Sequence, residues 1–212
     1  MIDNITVNTQ NSIRISSKAG AIYIDPLEIA DEKHDAGYIL ITHDHYDHFS
    51  KEDIRKVAKS DSILVVPEKM SGKAQEVADA VGRIETVKPS VYRELGGLEF
   101  ETVPAYNTSK PFHPKSAEWV GYILKIDDKR IYIAGDTDAT DEAKAVKCDI
   151  AMVPVGGTYT MDAKAAAELV NTIRPDIAVP VHYGSIVGKP SDGDVFVENV
   201  KNPVRVVFKL QF

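Results

Sequence analysis

At 212 residues, with 43% hydrophobic and 27% charged side chains, the chain has the make-up of an ordinary globular protein, most economically one domain over residues 1–212. A formal net charge of −7 and a pI near 5.4 leave no basic face to track phosphates, which argues against long nucleic acid as a partner. No apolar run reaches membrane-spanning length, Met1-Ile2-Asp3-Asn4 lacks the basic and apolar regions of a signal peptide, and the single cysteine, Cys148, has no internal disulfide partner, so a cytoplasmic setting is expected.

Residues 5–30 read as β structure. Ile5-Thr6-Val7 and Ile13-Arg14-Ile15 alternate apolar and polar, Lys18-Ala19-Gly20 is turn-like, and Ala21 to Ile24 is a further strand. Asp25-Pro26 closes it, and Asp25 reads as turn chemistry ahead of its other reading, a partner for a metal-binding histidine. The strand 38–42 then runs into His43-Asp44-His45-Tyr46-Asp47-His48. Ser50 and Asp53 are capping-box-like before a helical stripe of Ile54, Val57 and Ala58. Ser62 to Val66 predicts a buried strand, 68–81 a helix stopped by Gly82, and 84–87, 91–95 and 98–103 three strands, the last two joined at Gly96-Gly97.

Residues 104–115 are a loop by their punctuation, with His113 presented between Pro111 and Pro114. Trp119 to Ile126 and Arg130 to Ala134 form a hairpin around Asp127-Asp128, and its second strand leads into Gly135-Asp136-Thr137. A short helix from Asp141 and a strand 150–153 precede the loop Gly156-Gly157-Thr158-Tyr159-Thr160-Met161, whose glycines predict mobility at a site mouth. Asp162 caps a helix over 163–173, ended by Pro175. The strand 177–181 delivers His182-Tyr183-Gly184, and a helix 193–201 and a strand 204–210 close the chain.

The chemistry lies in where the polar residues fall. Three of the six histidines sit within six residues, directly after an apolar strand. Strand side chains alternate, so His43 and His45 leave the backbone on one side and can share a cation, while Asp47 and His48 project from the bend toward a second locus. Asp136 and His182 also follow apolar β runs, and His113 follows a fourth. Loops at the carboxyl ends of strands converge on one edge, which makes His43, His45, Asp47, His48, His113, Asp136 and His182 seven candidate ligands for one site. Imidazole with carboxylate suits zinc first and manganese or iron as well, and the set exceeds one closed structural tetrahedron. Two divalent ions acidify water from a pKa of about 15.7 toward about 7, so no serine, cysteine or lysine nucleophile is required. Cys148 is read as structural. Lys110 and Lys115 flank His113, and Tyr106 and Tyr159 lie in neighbouring loops; an anionic group on a small substrate would find them there.

The His-x-His-x-Asp-His signature, His43 to His48, resembles that of the metallo-β-lactamase-fold hydrolases. The order of signature, isolated histidine, Gly-Asp and final histidine is kept along essentially the whole chain. The phrases Ala105-Tyr106-Asn107 through His113-Pro114, Gly135 to Asp138, Gly156 to Met161 and Pro180 to Gly184 look like the small group related to ascorbate-phosphate lactonases and N-acylphosphatidylethanolamine phospholipase D. The resemblance implies an α/β fold, a four-layer αββα sandwich with two metal ions at one edge. It places His43, His45 and His113 on the first ion, Asp47, His48 and His182 on the second, and Asp136 on both, with turnover expected to depend on Asp47, Asp136 and His182. A small ester, lactone or phosphodiester is the expected substrate, and Asp47 is open to a ligand or a proton-acceptor role. The competing reading is a non-catalytic metal-binding or ligand-sensing module on the same fold. A flavin-coupled di-iron enzyme fits less well, since His45 stands where that resemblance expects a glutamate.

Overall fold

The computed structural model describes residues 1–212. Its strands are β1 (Ile5–Val7), β2 (Ile13–Ser17), β3 (Gly20–Ile24), β4 (Ala36–Leu40), β5 (Ile63–Pro67), β6 (Arg83–Val87), β7 (Tyr92–Leu95), β8 (Leu98–Pro104), β9 (Val120–Ile126), β10 (Lys129–Ile133), β11 (Ile150–Pro154), β12 (Ile177–Val181) and β13 (Arg205–Val206). The helices are α1 (Lys51–Val57), α2 (Ser71–Ala74), α3 (Asp141–Lys144), α4 (Ala163–Ile173) and α5 (Asp192–Asn199). No helix is long and apolar enough to cross a membrane.

Six strands form one sheet in the order β1-β2-β3-β4-β5-β6, and seven form the other, β13-β12-β11-β10-β9-β8-β7. Each is half antiparallel hairpins and half parallel crossovers: β1 to β3 and β7 to β10 are antiparallel, β3 to β6 and β10 to β13 parallel. The period of two decides which residues meet. Tyr38 and Leu40 of β4 join the main apolar core with Phe100, Tyr122 and Leu124 of the second sheet. Ile39 and Ile41 point the other way, into a second core with Ile54 and Val57 of α1 and Ala74 of α2. The helix α4 covers the second sheet through Ala166, Ala167, Leu169 and Val170, which completes the expected layering of helix, sheet, sheet and helix.

Most predicted boundaries hold to within two residues, and the capping residues Ser50 and Asp162 both accept a backbone N–H from three residues on. Asp127 and Asp128 adopt left-handed angles (φ +49° and +59°) to close the β9–β10 hairpin, as Gly96 and Gly97 do (φ +56° and +93°) between β7 and β8. Three expectations need correction. The stretch 68–81 is a 3-10 turn at 68–70, the single α turn α2 and a further 3-10 run over 75–80. Met70, Ala74, Val77 and Val81 still bury one stripe, but neither flank supplies a side-chain cap to sustain a continuous helix. Gly82 is not a left-handed stop; a Cβ there would stand 2.8 Å from the Ser60 carbonyl oxygen, so close backbone approach demands the glycine.

The last strand is two residues, not seven. Val207 N–H donates to the Ala178 carbonyl, and the next rung of that parallel ladder needs an N–H from Pro180, which has none. The pairing stops there.

Between the sheets, the fully buried Tyr122 hydroxyl donates to the Ile41 carbonyl at 2.7 Å, one residue from the polar cluster. Replacing Tyr122 with Phe is expected to cost about 1–2 kcal/mol, the usual effect of losing one buried hydrogen bond, measured as a lower urea midpoint with an unchanged slope.

Candidate metal centre

The site begins where β4 leaves its sheet. Ile41 N–H still donates to Val65, but Thr42 N–H turns to Asp25 Oδ1 at 2.8 Å and the Thr42 hydroxyl to Asp25 Oδ2 at 2.6 Å. The N–H groups of His48 and Phe49 then both donate to the His45 carbonyl, which curls the segment into one tight turn. That turn separates Asp47 and His48 from the pair His43 and His45, as the alternation argument expects.

Four loops bring seven side chains together. His43, His45 and His113 form one group with potential ligand atoms within 4.8 Å of one another, and Asp47, His48 and His182 form another. Asp136 lies between them. Its Oδ2 is 3.4 Å from His113 Nε2 and 4.0 Å from His43 Nε2; its Oδ1 is 3.3 Å from His182 Nε2 and 3.4 Å from His48 Nε2. Gly135, at φ +64°, lets Asp136 approach the cluster, since a Cβ there would press on Thr42 at 3.1 Å. His182 is itself left-handed at φ +56°, held by its N–H donating to the Gln10 carbonyl.

Neighbours fix how the imidazoles face. Asn107 Oδ1 accepts from the His113 backbone N–H and lies 3.1 Å from His113 Nδ1, so Nδ1 carries a proton and Nε2 points its lone pair at the cluster. His48 Nδ1 sits 2.7 Å from Asp25 Oδ2, which makes Asp25 the outer partner of a candidate ligand as well as a turn residue. His113 Nε2 and Asp136 Oδ1 are buried without a hydrogen-bond partner. Inward-facing imidazole nitrogens and two carboxylates, some with nothing in the protein to satisfy them, are a donor set suited to divalent cations.

Residues 4–182 match the model of the β-lactamase superfamily domain. The chain belongs to that superfamily. It is 35% identical over 184 residues to a UPF0173 protein of Pyrococcus abyssi, covering 84% of this chain and 82% of the relative. A second protein of that organism, named a UPF0173 metal-dependent hydrolase, is 31% identical over 179 residues, 82% and 78% of the two chains. A crystal structure from Parabacteroides distasonis, assigned as a metal-dependent hydrolase, superposes with a TM-score of 0.82 at 32% identity, covering 98% of this chain and 93% of the other. The architecture is therefore the metallo-β-lactamase fold.

Within this superfamily member, three residues of the site carried no sequence signal of their role: Asn107 beside His113, Trp119 and Asn11. The ring of Trp119, read only as the start of a strand, lies 5.0 Å from that of His43, 4.9 Å from His45 and 5.5 Å from His113. Asn11 donates to Asp25 Oδ2 at 2.7 Å. Lys110 and Lys115, expected near an anion, are engaged elsewhere: Lys110 with Asp138 at 2.6 Å, Lys115 with Glu142 at 2.7 Å. The Tyr106 hydroxyl also donates to Glu142. The loop 156–161 is pinned rather than open. Gly157 N–H donates to Met161, Gly156 bridges Asp162, and a Cβ on Gly156 would collide with the His182 carbonyl. Cys148 lies beside the apolar core, and burial pushes its thiol up to about 12, as expected of a structural cysteine.

Burial favours neutral imidazole, and its effect is seen at His43, held well below the ordinary histidine range, and at His113, lowered to about 4. Burial acts on His48 in the same direction, but the carboxylates of Asp136, Asp25 and Asp47 outweigh it and raise this group to about 9. These carboxylates favour the protonated imidazole of His48 in metal-free protein, so a cation held by His48 would compete with that proton. Zinc affinity is expected to rise about tenfold per unit between pH 7 and 8 and to flatten above pH 9, with about one proton released per chain. The change in fluorescence of Trp119, the sole tryptophan, on zinc titration and calorimetry in buffers of different ionisation enthalpy measure the two quantities.

Proposed function

We propose that the protein is a hydrolase dependent on two divalent metal ions, zinc first among them, acting on a small ester, lactone or phosphodiester. The observation that carries this reading is the placement of Asp136, which turns one oxygen toward His43 and His113 and the other toward His48 and His182. The names of its P. abyssi and P. distasonis relatives support the same class. On this reading His43, His45 and His113 would hold one ion, Asp47, His48 and His182 the other, and Asp136 would contribute to both. Divalent ions held there would supply acidification of water and Lewis-acid polarisation of a carbonyl or phosphoryl oxygen.

The chain's own groups do the positioning. Asp25, backed by Asn11 and Thr42, fixes the His48 ring, and Asn107 fixes that of His113. Burial works to raise the Asp47 carboxyl, but its bond to His182 and the charges of His48 and His182 prevail and hold it well below the usual carboxylate range. A base works best with a pKa near the working pH, so Asp47 is better suited to ligand than to proton shuttle.

Protein purified without added metal should carry about two equivalents per chain by elemental analysis. Asp136→Ala should lower turnover by at least on the order of 100-fold while the circular-dichroism melt stays cooperative; a folded variant with unchanged turnover would refute the assignment. Asp25→Asn, which touches no candidate ligand except through His48 Nδ1, should weaken zinc binding about 10- to 100-fold in a competition titration with a chromophoric chelator.

A further inference from the structure

Beside the polar cluster lies a cleft of about 420 Å³ whose polar walls are the candidate ligands His45, Asp47, Asp136 and His182. Its other walls are Tyr46, Phe112, Tyr159, Ile186 and Val187, which arrive from four separate stretches of chain. Four of these five are among the eight large hydrophobic side chains that the molecule leaves exposed, at 70% for Tyr46, 42% for Phe112, 38% for Tyr159 and 39% for Ile186. A water-soluble chain does not gather half of its exposed large apolar groups around one opening without a cost in hydration, so the gathering calls for an apolar occupant.

The wall is also built to stay in place. The rings of Phe112 and Tyr159 meet edge to face with centroids 4.7 Å apart. Asn107, whose Oδ1 orients His113, donates through Nδ2 to the Tyr159 carbonyl at 2.9 Å. One side chain thus sets both a candidate ligand and the apolar wall, and fixes the distance between them.

No lysine or arginine lines this opening. The two nearest in sequence to His113 are committed: Lys110 to Asp138 and the Thr160 carbonyl, Lys115 to Glu142. An anionic substituent on the part of a substrate seated against this apolar wall would meet no lysine or arginine to pair it, a costly desolvation. We propose, resting on the hydrolase reading, that the substrate is a neutral carboxylic ester or lactone whose aliphatic or aromatic acyl part seats against Phe112, Tyr159, Ile186 and Tyr46. The reaction adds one water across the acyl–oxygen bond: the acyl carbon takes the hydroxyl as a carboxylic acid, and the alkoxy oxygen leaves with a proton as the alcohol.

The test compares zinc-loaded protein on p-nitrophenyl acetate, p-nitrophenyl hexanoate and bis(p-nitrophenyl) phosphate. Four added methylenes should raise kcat/KM for the hexanoate on the order of 100-fold over the acetate, at roughly three- to fourfold each, and the phosphodiester should be the poorest of the three. The double substitution Tyr46→Ser with Phe112→Ser removes two exposed groups that support no core. It should cut the hexanoate-to-acetate ratio at least about fivefold. A ratio near one in the wild type, a phosphodiester preference, or a double variant that changes only oligomeric state would overturn the proposal. A second readout needs neither metal nor turnover: ligand-observed NMR on metal-free protein should show 2-octanone binding far better than acetone, and binding weakened in the double variant. If none of the three substrates is turned over yet 2-octanone binds in this way, the hydrolase reading fails and the apolar subsite stands; if 2-octanone binds no better than acetone, the subsite fails.

Discussion

The fully buried carboxylate of Asp25 is the constraint from which both the fold and the site hang. A buried carboxylate is tolerable only when its lone pairs are filled, and here four donors fill them: Thr42 N–H on Oδ1, and Asn11 Nδ2, the Thr42 hydroxyl and His48 Nδ1 on Oδ2. Those donors come from the segment before β2 and from both sides of the β4 bend. Satisfying Asp25 therefore brings the end of β3 against the end of β4 and makes the backbone leave the sheet at Thr42. The same bonds orient an imidazole. Geometry that would otherwise need a dedicated scaffold follows from a single buried charge.

The second sheet meets this point by an equivalent route. Val120 N–H donates to the Thr42 carbonyl, and Tyr122 donates to that of Ile41, so β9 is fastened to the outgoing end of β4. Gly135 then passes close to Thr42 because it lacks a Cβ, and Asp136 enters between the two groups of histidines. β4, β10 and β12 deliver the histidine cluster, Asp136 and His182 from strand ends in the parallel halves, and the β8–β9 connection of the antiparallel half delivers His113. The layered architecture and the position of the site are one consequence of how those ends register.

What was legible in the sequence follows the range of the interactions involved. The seven candidate ligands could be read because each follows an apolar run, and strand alternation already separates His43 and His45 from Asp47 and His48. Local chemistry also placed the Ser50 and Asp162 caps and the two tight hairpins. The rest depended on partners distant in sequence. Asp25-Pro26 looks like a turn until Thr42, 17 residues on, is seen to spend its N–H on that side chain. Lys110 and Lys115 look free until Asp138 and Glu142 fold beside them. The truncation of β13 follows from a proline in its neighbour, β12, which matters only once the register is known. Trp119 and Asn107 belong to no ligand pattern, and their place at the site comes entirely from the fold.

The cluster also explains why this region is held by so many outer bonds. Burying several imidazoles beside two carboxylates is unfavourable on its own: His43 and His113 are pushed toward neutrality by burial, while nearby carboxylates hold a proton on His48. Two buried polar atoms that face the centre, His113 Nε2 and Asp136 Oδ1, make no hydrogen bond within the protein. Such a site does not stabilise the metal-free chain, so its shape must be enforced from outside, by Asp25, Thr42, Asn11 and Asn107. A cation that satisfies the inner atoms binds the folded form and not an unfolded chain in which these four loops are scattered, so its binding energy adds to folding. On the proposed function, residues that face inward would supply affinity for the ion, and residues that face outward the rigidity that lets that affinity be expressed.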